Sequence, residues 1–190
     1  MSASKYTIEN LLKNGLISNC DENHWKPLLN PASLDVTLGD TILIVNKNLN
    51  PYKNYDEWTI KSWEDDNSKF FNTVSIKDSY ITLNPSEFIL ANTFEQFNIP
   101  LNYAATFMLK SRLGRVGLDH QLAGWIDPGF KGTVTLELVN SFPYPIRLKA
   151  GQRIGQLKFE KLDIELQEKD GYNGNYQNFN CPKAARSFSE

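Results

Sequence analysis

The amino-acid sequence predicts a mostly β protein with a short N-terminal helix, and two observations support the β assignment. Brief runs of alternating or β-branched residues recur from Ser33 onward. Gly, Pro, Asn and Asp lie between these runs as turn signals, which is typical of a β-sandwich or barrel. The predicted strands are Leu34 to Leu38, Thr41 to Val45, Thr73 to Ile76, Tyr80 to Leu83, Phe88 to Ala91, Ala105 to Leu109, Thr133 to Val139 and Ile154 to Phe159.

The helix is expected in the first fifteen or so residues because Ile8, Leu11 and Leu12 have the i, i+3, i+4 spacing of one helical face. Thr7 is a candidate cap for its start. Gly15 is a candidate for its end, where a left-handed backbone favours glycine.

Length and composition predict one domain, residues 1–190. A chain of 190 residues with 41% hydrophobic residues is long enough to bury a core. The net charge of −2 gives no global reason to expect nucleic acid or a membrane surface as a partner. Without an apolar run of roughly 20 residues or a signal-peptide pattern, the protein is expected in the cytoplasm. Cys20 and Cys181 lack metal-ligand spacing and are expected to be free thiols.

Two segments are less regular. Residues 48–72 mix Asn, Asp, Pro and aromatic residues without a period, and we expect a long surface excursion with one strand. Residues 171–190 are polar and rich in turn residues, so they are either disordered or a mobile C-terminal segment that closes over a ligand.

A basic turn follows the apolar end of one predicted strand. Lys110, Ser111, Arg112 and Arg115 put three cations and a hydroxyl into six residues. If Ser111 opens a helical turn that ends by Gly117, Ser111 and Arg115 share one face. Backbone N–H groups, a hydroxyl and guanidinium groups then face one anion, as a polyphosphate requires. A solvated basic surface is the commoner use of such a cluster.

The next motif is a turn with an acidic residue. In the segment Ala123 to Phe130, AGWIDPGF, the Pro128-Gly129 pair fits the centre of a type II turn. Asp127 precedes this turn, where an Asp usually bonds to its own backbone. Its alternative role is contact with a ligand.

The strand after this turn has one polar face. Thr133, Thr135 and Glu137 lie on it, opposite the apolar residues of the same strand. A Glu in this position is usually exposed to solvent. It becomes a catalytic candidate only beside a cavity and a basic loop.

Taken together, three motifs resemble, in order and spacing, the signatures of the dCTP deaminase family. They are KSRLGR from Lys110, AGWIDPGF from Ala123 and TLEL from Thr135. Flanking segments also match, namely NPASLDVTLG from Asn30, FILANTFEQFNIP from Phe88 and AGQRIGQLKFEKL from Ala150. The resemblance implies a distorted β-barrel or jelly roll of the trimeric dUTPase-like type, whose active sites lie between the subunits of a homotrimer.

The resemblance also implies an activity, the hydrolytic deamination of dCTP to dUTP and ammonia, which feeds dUMP and dTTP synthesis. Glu137 would be the proton shuttle, Ser111 and Arg115 would hold the water and the pyrimidine edge, and the carbonyl of Ala123 would fix the water. The implied cofactor is Mg²⁺ bound with the triphosphate, with no zinc, and dTTP is a candidate inhibitor. The implied nucleotide-binding residues are Lys110, Ser111, Arg112, Leu113, Gly114, Arg115, Asp127, Thr135, Leu136, Glu137, Tyr172, Tyr176 and Gln177.

This chain departs from the family pattern at a few positions. Arg112 stands where a second serine is usual, and Leu122 stands where a threonine is usual. In the tail, Asn175 and Phe179 replace a lysine and a glutamine, whereas Tyr176 and Gln177 keep the pattern. The departures bear on triphosphate binding and regulation more than on the catalytic positions.

Two alternatives stay open. The first is a bifunctional deaminase and dUTPase, or a dUTPase, that releases dUMP and pyrophosphate. The second is a regulator that binds a nucleotide without turning it over. A zinc-dependent cytidine deaminase lacks support, because the residues after His120 and Cys181 do not supply its ligand set. His24 and His120 are therefore interpreted as ordinary polar residues.

Overall fold

The computed structural model describes residues 1–48 and 69–186. Within these ranges the chain is mostly β, as predicted. The helices are α1 (Lys5–Lys13), α2 (Glu22–Trp25) and α3 (Ser111–Gly114), with 3₁₀ turns at Lys26–Leu28 and Glu168–Asp170. The strands are β1 (Leu34–Thr37), β2 (Thr41–Val45), β3 (Phe71–Ser75), β4 (Tyr80–Leu83), β5 (Phe88–Asn98), β6 (Tyr103–Leu109), β7 (Leu118–His120), β8 (Trp125–Ile126), β9 (Lys131–Asn140), β10 (Ile146–Lys149) and β11 (Arg153–Lys161).

Antiparallel pairing joins the described strands into sheets. A five-stranded sheet has the order β3-β2-β5-β9-β7, and a four-stranded sheet has the order β1-β11-β6-β8. Strand β4 pairs with β10 in a separate two-stranded sheet. The mostly β class is thus confirmed, while closure of these sheets into a distorted barrel or jelly roll stays a prediction.

The core consists of the apolar side chains that alternate along these strands. A fully buried Leu, Ile or Phe side chain contributes roughly 1.5–3 kcal/mol relative to an exposed one. These residues therefore set which face of each strand turns inward. Members of the core cluster from both large sheets include Leu34, Val36, Ile42, Leu136, Leu138, Leu157 and Phe159.

The N-terminal helix α1 is confirmed, but its predicted cap is wrong. The helix begins one turn earlier than Thr7 implies, because the backbone carbonyl of Ser4 accepts a hydrogen bond from N–H of Ile8 at 2.9 Å. Ile8 and Leu12 are buried against the sheets. Gly15 follows the helix with φ of +87°, as the prediction of its end requires.

Each predicted strand is present, and the differences lie in short or polar segments. Strand β8 has only two residues, and β10 follows the proline-rich segment Ser141 to Pro145. Strand β5 continues past Ala91 to Asn98, through a register shift between Asn92 and Gln96. Such a bulge breaks the two-residue periodicity on which the prediction relied.

The predicted excursion at residues 48–72 lies largely outside the described residues, and its last two residues belong to β3. Cys20 and Cys181 are free, as expected. Among the described helices, none combines the length and the apolar character needed to cross a membrane.

Candidate active site

Strand β9 places Glu137 in a pocket. Leu136 and Leu138 are fully buried in the core, so the intervening Glu137 faces the opposite side of the sheet. Its side chain is 26% exposed. On the neighbouring strands, Leu90 of β5 lies opposite Glu137, and His120 of β7 lies opposite Leu138. The carboxylate is thus half-buried and accessible from one side.

The pocket has a volume of about 540 Å³, within the usual range for a small-molecule site. Predicted site residues that line it are Ala123, Asp127, Thr135 and Glu137, joined by Tyr172 and Tyr176 from the tail. Much of the remaining lining is aromatic and comprises Phe71, Phe88, Trp125, Phe130 and Phe179. The site therefore combines apolar ring faces with a few polar groups, as a nucleobase requires.

The turn at residues 127–130 forms one edge of the pocket. Gly129 has φ of +84°, and N–H of Phe130 donates to the carbonyl of Asp127 at 3.2 Å, as a type II turn requires. The Asp127 carboxylate accepts a 2.8 Å hydrogen bond from the indole N–H of Trp125. An indole donor thus orients Asp127 at the pocket.

The described part of the tail packs against β9 and lines the pocket. Phe179 forms a parallel bridge with Gly132, and N–H of Thr133 donates to the Phe179 carbonyl at 2.8 Å. Gln177 accepts from N–H of Lys131 and donates to the carbonyls of Gly129 and Tyr172. The predicted contact of this segment with the site is consistent with these bonds, whereas its motion stays a prediction.

The tail brings an uncharged phenol, that of Tyr172, to the pocket and two cations to the ring of Phe179, a residue of the pocket lining. Burial raises the pKa of the Tyr172 phenol, so it stays protonated near neutral pH. Nζ of Lys183 lies 4.3 Å and Cζ of Arg186 lies 5.0 Å from the ring centroid of Phe179. Phe179, which departs from the family pattern, thus holds two cations by cation–π contact.

The basic turn lies apart from this pocket within one chain. Helix α3 does form at Ser111, where N–H of Arg115 donates to the Ser111 carbonyl at 3.0 Å, as predicted. However, among the described residues the pocket lining includes none of Lys110, Ser111, Arg112 or Arg115. The predicted site residues therefore form two groups, one in the pocket and one on the α3 turn.

Some predicted nucleotide-binding residues have other contacts. The Leu136 side chain is fully buried in the core, so its predicted contact with a nucleotide stays a prediction that concerns its backbone. Leu113 packs against the core from α3. Lys110 is bound to the buried carboxylate of Asp35, and Gln177 uses its side-chain amide to hold the tail.

His120, which the sequence analysis interprets as an ordinary polar residue, lies next to Glu137. Its Nε2 lies 3.2 Å from Oε2 of Glu137, and its side chain is only 8% exposed. Its ring contacts Phe107 at a centroid distance of 4.6 Å. The short strand β7 carries no clear pattern, so only its pairing with β9 reveals this neighbour.

In residues 1–48 and 69–186, no group of three or more His, Cys, Asp or Glu side chains is arranged to hold a metal ion. A cation that enters with a nucleotide needs no such group, because phosphate oxygens and water provide its ligands.

Residues 3–162 match the dCTP deaminase-like family. A protein named dCTP deaminase, dUMP-forming, from Leifsonia xyli subsp. xyli is 38% identical over 167 residues, which cover 85% of this chain and 79% of that protein. A protein of the same name from Clavibacter michiganensis subsp. michiganensis is 38% identical over 165 residues, covering 84% of this chain and 78% of that protein.

The fold is also similar to a crystal structure of 2'-deoxycytidine 5'-triphosphate deaminase from Agrobacterium tumefaciens, with a TM-score of 0.60 and 20% identity. The match covers 84% of this chain and 48% of that chain, so this protein spans about half of its length. The family match over residues 3–162 and the two relatives at 38% identity lead to one conclusion: the chain is an enzyme that belongs to the dCTP deaminase-like family.

Proposed function

We propose that this enzyme removes the 4-amino group of dCTP by hydrolysis, producing dUTP and ammonia. The observation that carries this proposal is the half-buried carboxylate of Glu137 in a pocket of small-molecule size, beside Ala123, Asp127 and Thr135. The names of the two relatives above support the same substrate.

In the proposed reaction, Glu137 moves two protons in turn. Its carboxylate accepts a proton from water while the water oxygen bonds to C4 of the ring, and passes this proton to ring nitrogen N3. It then carries the second proton of that oxygen to the 4-amino group, the C4–N bond breaks, and ammonia leaves a C4 carbonyl behind. Positioned proton transfer of this kind supplies about 10²- to 10⁴-fold, and the remainder comes from orientation. The reaction is proposed to proceed without zinc.

The remaining groups bind and orient the nucleotide in this proposal. The carbonyl of Ala123 fixes the attacking water, and Asp127 faces the deoxyribose with its carboxylate held by Trp125. The aromatic residues of the tail cover the base. We propose that Lys183 and Arg186, which contact the Phe179 ring, bind the negatively charged phosphates.

Mg²⁺ is proposed to enter with the triphosphate. Mg²⁺ keeps several waters and is commonly bound through substrate phosphates and one or two carboxylates. When bound, the cation neutralises phosphate charge.

We also propose that the complete site forms between copies of the chain in a homotrimer. The pocket lacks Ser111 and Arg115, the groups proposed to hold the water and the pyrimidine edge, among its described lining. A second copy can supply them from its α3 turn. Large apolar side chains are exposed near the α3 turn, at Met108 and Val116, and near the pocket segment, at Leu122 and Trp125. Such residues are typical of a surface covered by another subunit.

A second candidate activity is hydrolysis of the dUTP product to dUMP and pyrophosphate in the same site. The words "dUMP-forming" in the names of the relatives favour it. This activity would make the protein bifunctional.

The test is incubation of the purified protein with dCTP and Mg²⁺, with ammonia and nucleotides measured together. Equal amounts of ammonia and dUTP indicate deamination alone. Equal amounts of ammonia, dUMP and pyrophosphate indicate both steps, and separate incubation with dUTP isolates the second. Addition of dTTP tests inhibition. A properly folded protein that releases no ammonia from dCTP contradicts the proposal. The incubation with dUTP then separates a dUTPase from a regulator that binds a nucleotide without turning it over.

A further inference from the structure

We propose that His120 is a positioning residue for Glu137: its Nε2–H fixes one carboxylate oxygen, so that the other faces the substrate. This inference rests on the proposed function, because it assigns a partner to the proposed proton shuttle. It concerns a residue that lies between the first two sequence motifs, KSRLGR and AGWIDPGF, and belongs to neither.

The geometry that carries the proposal is a pair of buried atoms. Nε2 of His120 and Oε2 of Glu137 lie 3.2 Å apart. Both atoms are shielded from solvent, yet within the described part of the chain neither has a hydrogen-bond partner of acceptable geometry. The distance between the two atoms is that of a hydrogen bond, but the placement of the donor hydrogen is not, so the bond forms when either side chain is reoriented.

Completing this bond is favourable for both groups. A buried polar atom without a partner costs about 1–3 kcal/mol. A hydrogen bond from the Nε2–H donor to the carboxylate acceptor removes this cost for both atoms. Catalytic hydrogen bonds are often poorly aligned without substrate and become shorter when it binds. A nucleotide in the pocket restricts Glu137 from the open side, which selects the rotamer that meets His120.

The surroundings make His120 suited to this role. Its ring contacts Phe107, and its backbone N–H donates to the carboxylate of its neighbour Asp119. N–H of the next residue, Gln121, donates to the carbonyl of Glu137 at 3.1 Å, so the backbone holds His120 beside Glu137 where β7 ends. The imidazole is therefore fixed by the backbone register and by an apolar ring, as a group that orients a catalytic base must be.

The first test compares wild type, His120→Leu and His120→Gln in the dCTP assay. Leu removes the donor, whereas Gln can place an amide N–H near the position of Nε2. We expect His120→Leu to lower kcat about 10- to 100-fold, with KM for dCTP changed less than about threefold. His120→Gln is expected to recover most of kcat. Wild-type kcat in His120→Leu, or equal loss in both variants, overturns the proposal.

The second test does not depend on activity. The chain contains two histidines, so ¹⁵N spectra of the imidazole rings are simple, and His24→Gln assigns the signals. We expect the neutral ring of His120 to carry its proton on Nε2. A proton on Nδ1 overturns the proposal. If wild type has the Nε2 proton but releases no ammonia, the proposed function fails and the contact between the two side chains stands.

Discussion

Nζ of Lys110 lies 2.7 Å from Oδ1 of Asp35, a carboxylate that is only 1% exposed. Asn30 donates to the same oxygen, and Arg153 approaches the other. Strands β1 and β11 therefore hold the residue that precedes α3. Because Lys110 is bound in this way, it positions the basic turn and has less freedom to bind a phosphate than the sequence suggested.

Lys110→Met is expected to lower the free energy of unfolding by about 2–3 kcal/mol, because it removes a charged hydrogen bond from a buried carboxylate. Denaturant unfolding measures the change. The matched control is Lys77→Met, since Lys77 is exposed on a turn, and it should change stability by less than about 0.5 kcal/mol. Equal effects of the two substitutions contradict the role of Lys110.

Glu137→Gln is expected to reduce kcat for ammonia release by at least about 10²-fold, because the amide cannot accept the proton from water. The residue is half-buried at the pocket and outside the core, so the fold and dCTP affinity should persist. Ammonia assays and calorimetry with dCTP provide the two measurements. Retention of wild-type kcat would exclude Glu137 as the proton shuttle.

Mixed trimers test whether two copies build each site. Arg115→Ala and Glu137→Gln are each expected to be inactive alone. If the two residues of one site come from different subunits, random mixing restores sites with both groups, up to about a quarter of them. The variants are unfolded together, refolded and assayed for ammonia. No recovery in trimers shown by mass to be mixed places both residues in one subunit.

Gln177→Ala is expected to loosen the tail, because the side chain makes three hydrogen bonds to backbone groups of the turn and tail. Trypsin should cleave faster after Lys183 or Arg186, while the thermal midpoint of the whole protein changes little. Asn173→Ala is the control, since Asn173 is exposed in the same segment. Unchanged cleavage in Gln177→Ala would show that other contacts hold the tail.

The contact between His24 and Glu95 is expected to make stability depend on pH. Nε2 of His24 lies 2.8 Å from a carboxylate oxygen of the fully buried Glu95, and this hydrogen bond raises the pKa of His24. The contribution of this pair to the free energy of unfolding is fully present below the ordinary histidine pKa of about 6.5. It is lost as the pH rises through the raised pKa of His24.

His24→Gln should therefore lower the free energy of unfolding more at about pH 5.5 than at pH 9. Denaturant unfolding at both pH values measures this. Lys26→Gln is the control, because the pair of Lys26 with Glu22 is exposed and contains no histidine. If His24→Gln lowered the free energy of unfolding more at pH 9 than at about pH 5.5, the raised pKa of His24 would be contradicted.

Several features followed from local sequence. Helix α1 and the cores of the predicted strands could be assigned because apolar spacing directly reflects which face is buried. The turn before β9 was predictable from Pro128-Gly129, and the polar face of β9 from the alternation around Glu137. The family was recognisable because its motifs keep their order along the chain.

Other features depend on contacts between distant segments. The pairing of β7 with β9 brings His120 to Glu137, the pairing of β1 with β11 brings Asp35 to Lys110, and the docked tail brings Phe179 to the pocket. None of these contacts has a periodic signal, because each joins residues far apart in sequence through sheet register or packing. The sequence by itself thus determined the class of fold and the candidate carboxylate. Only the tertiary structure decided which side chains surround that carboxylate, since burial and hydrogen bonding between remote strands depend on their relative placement in space.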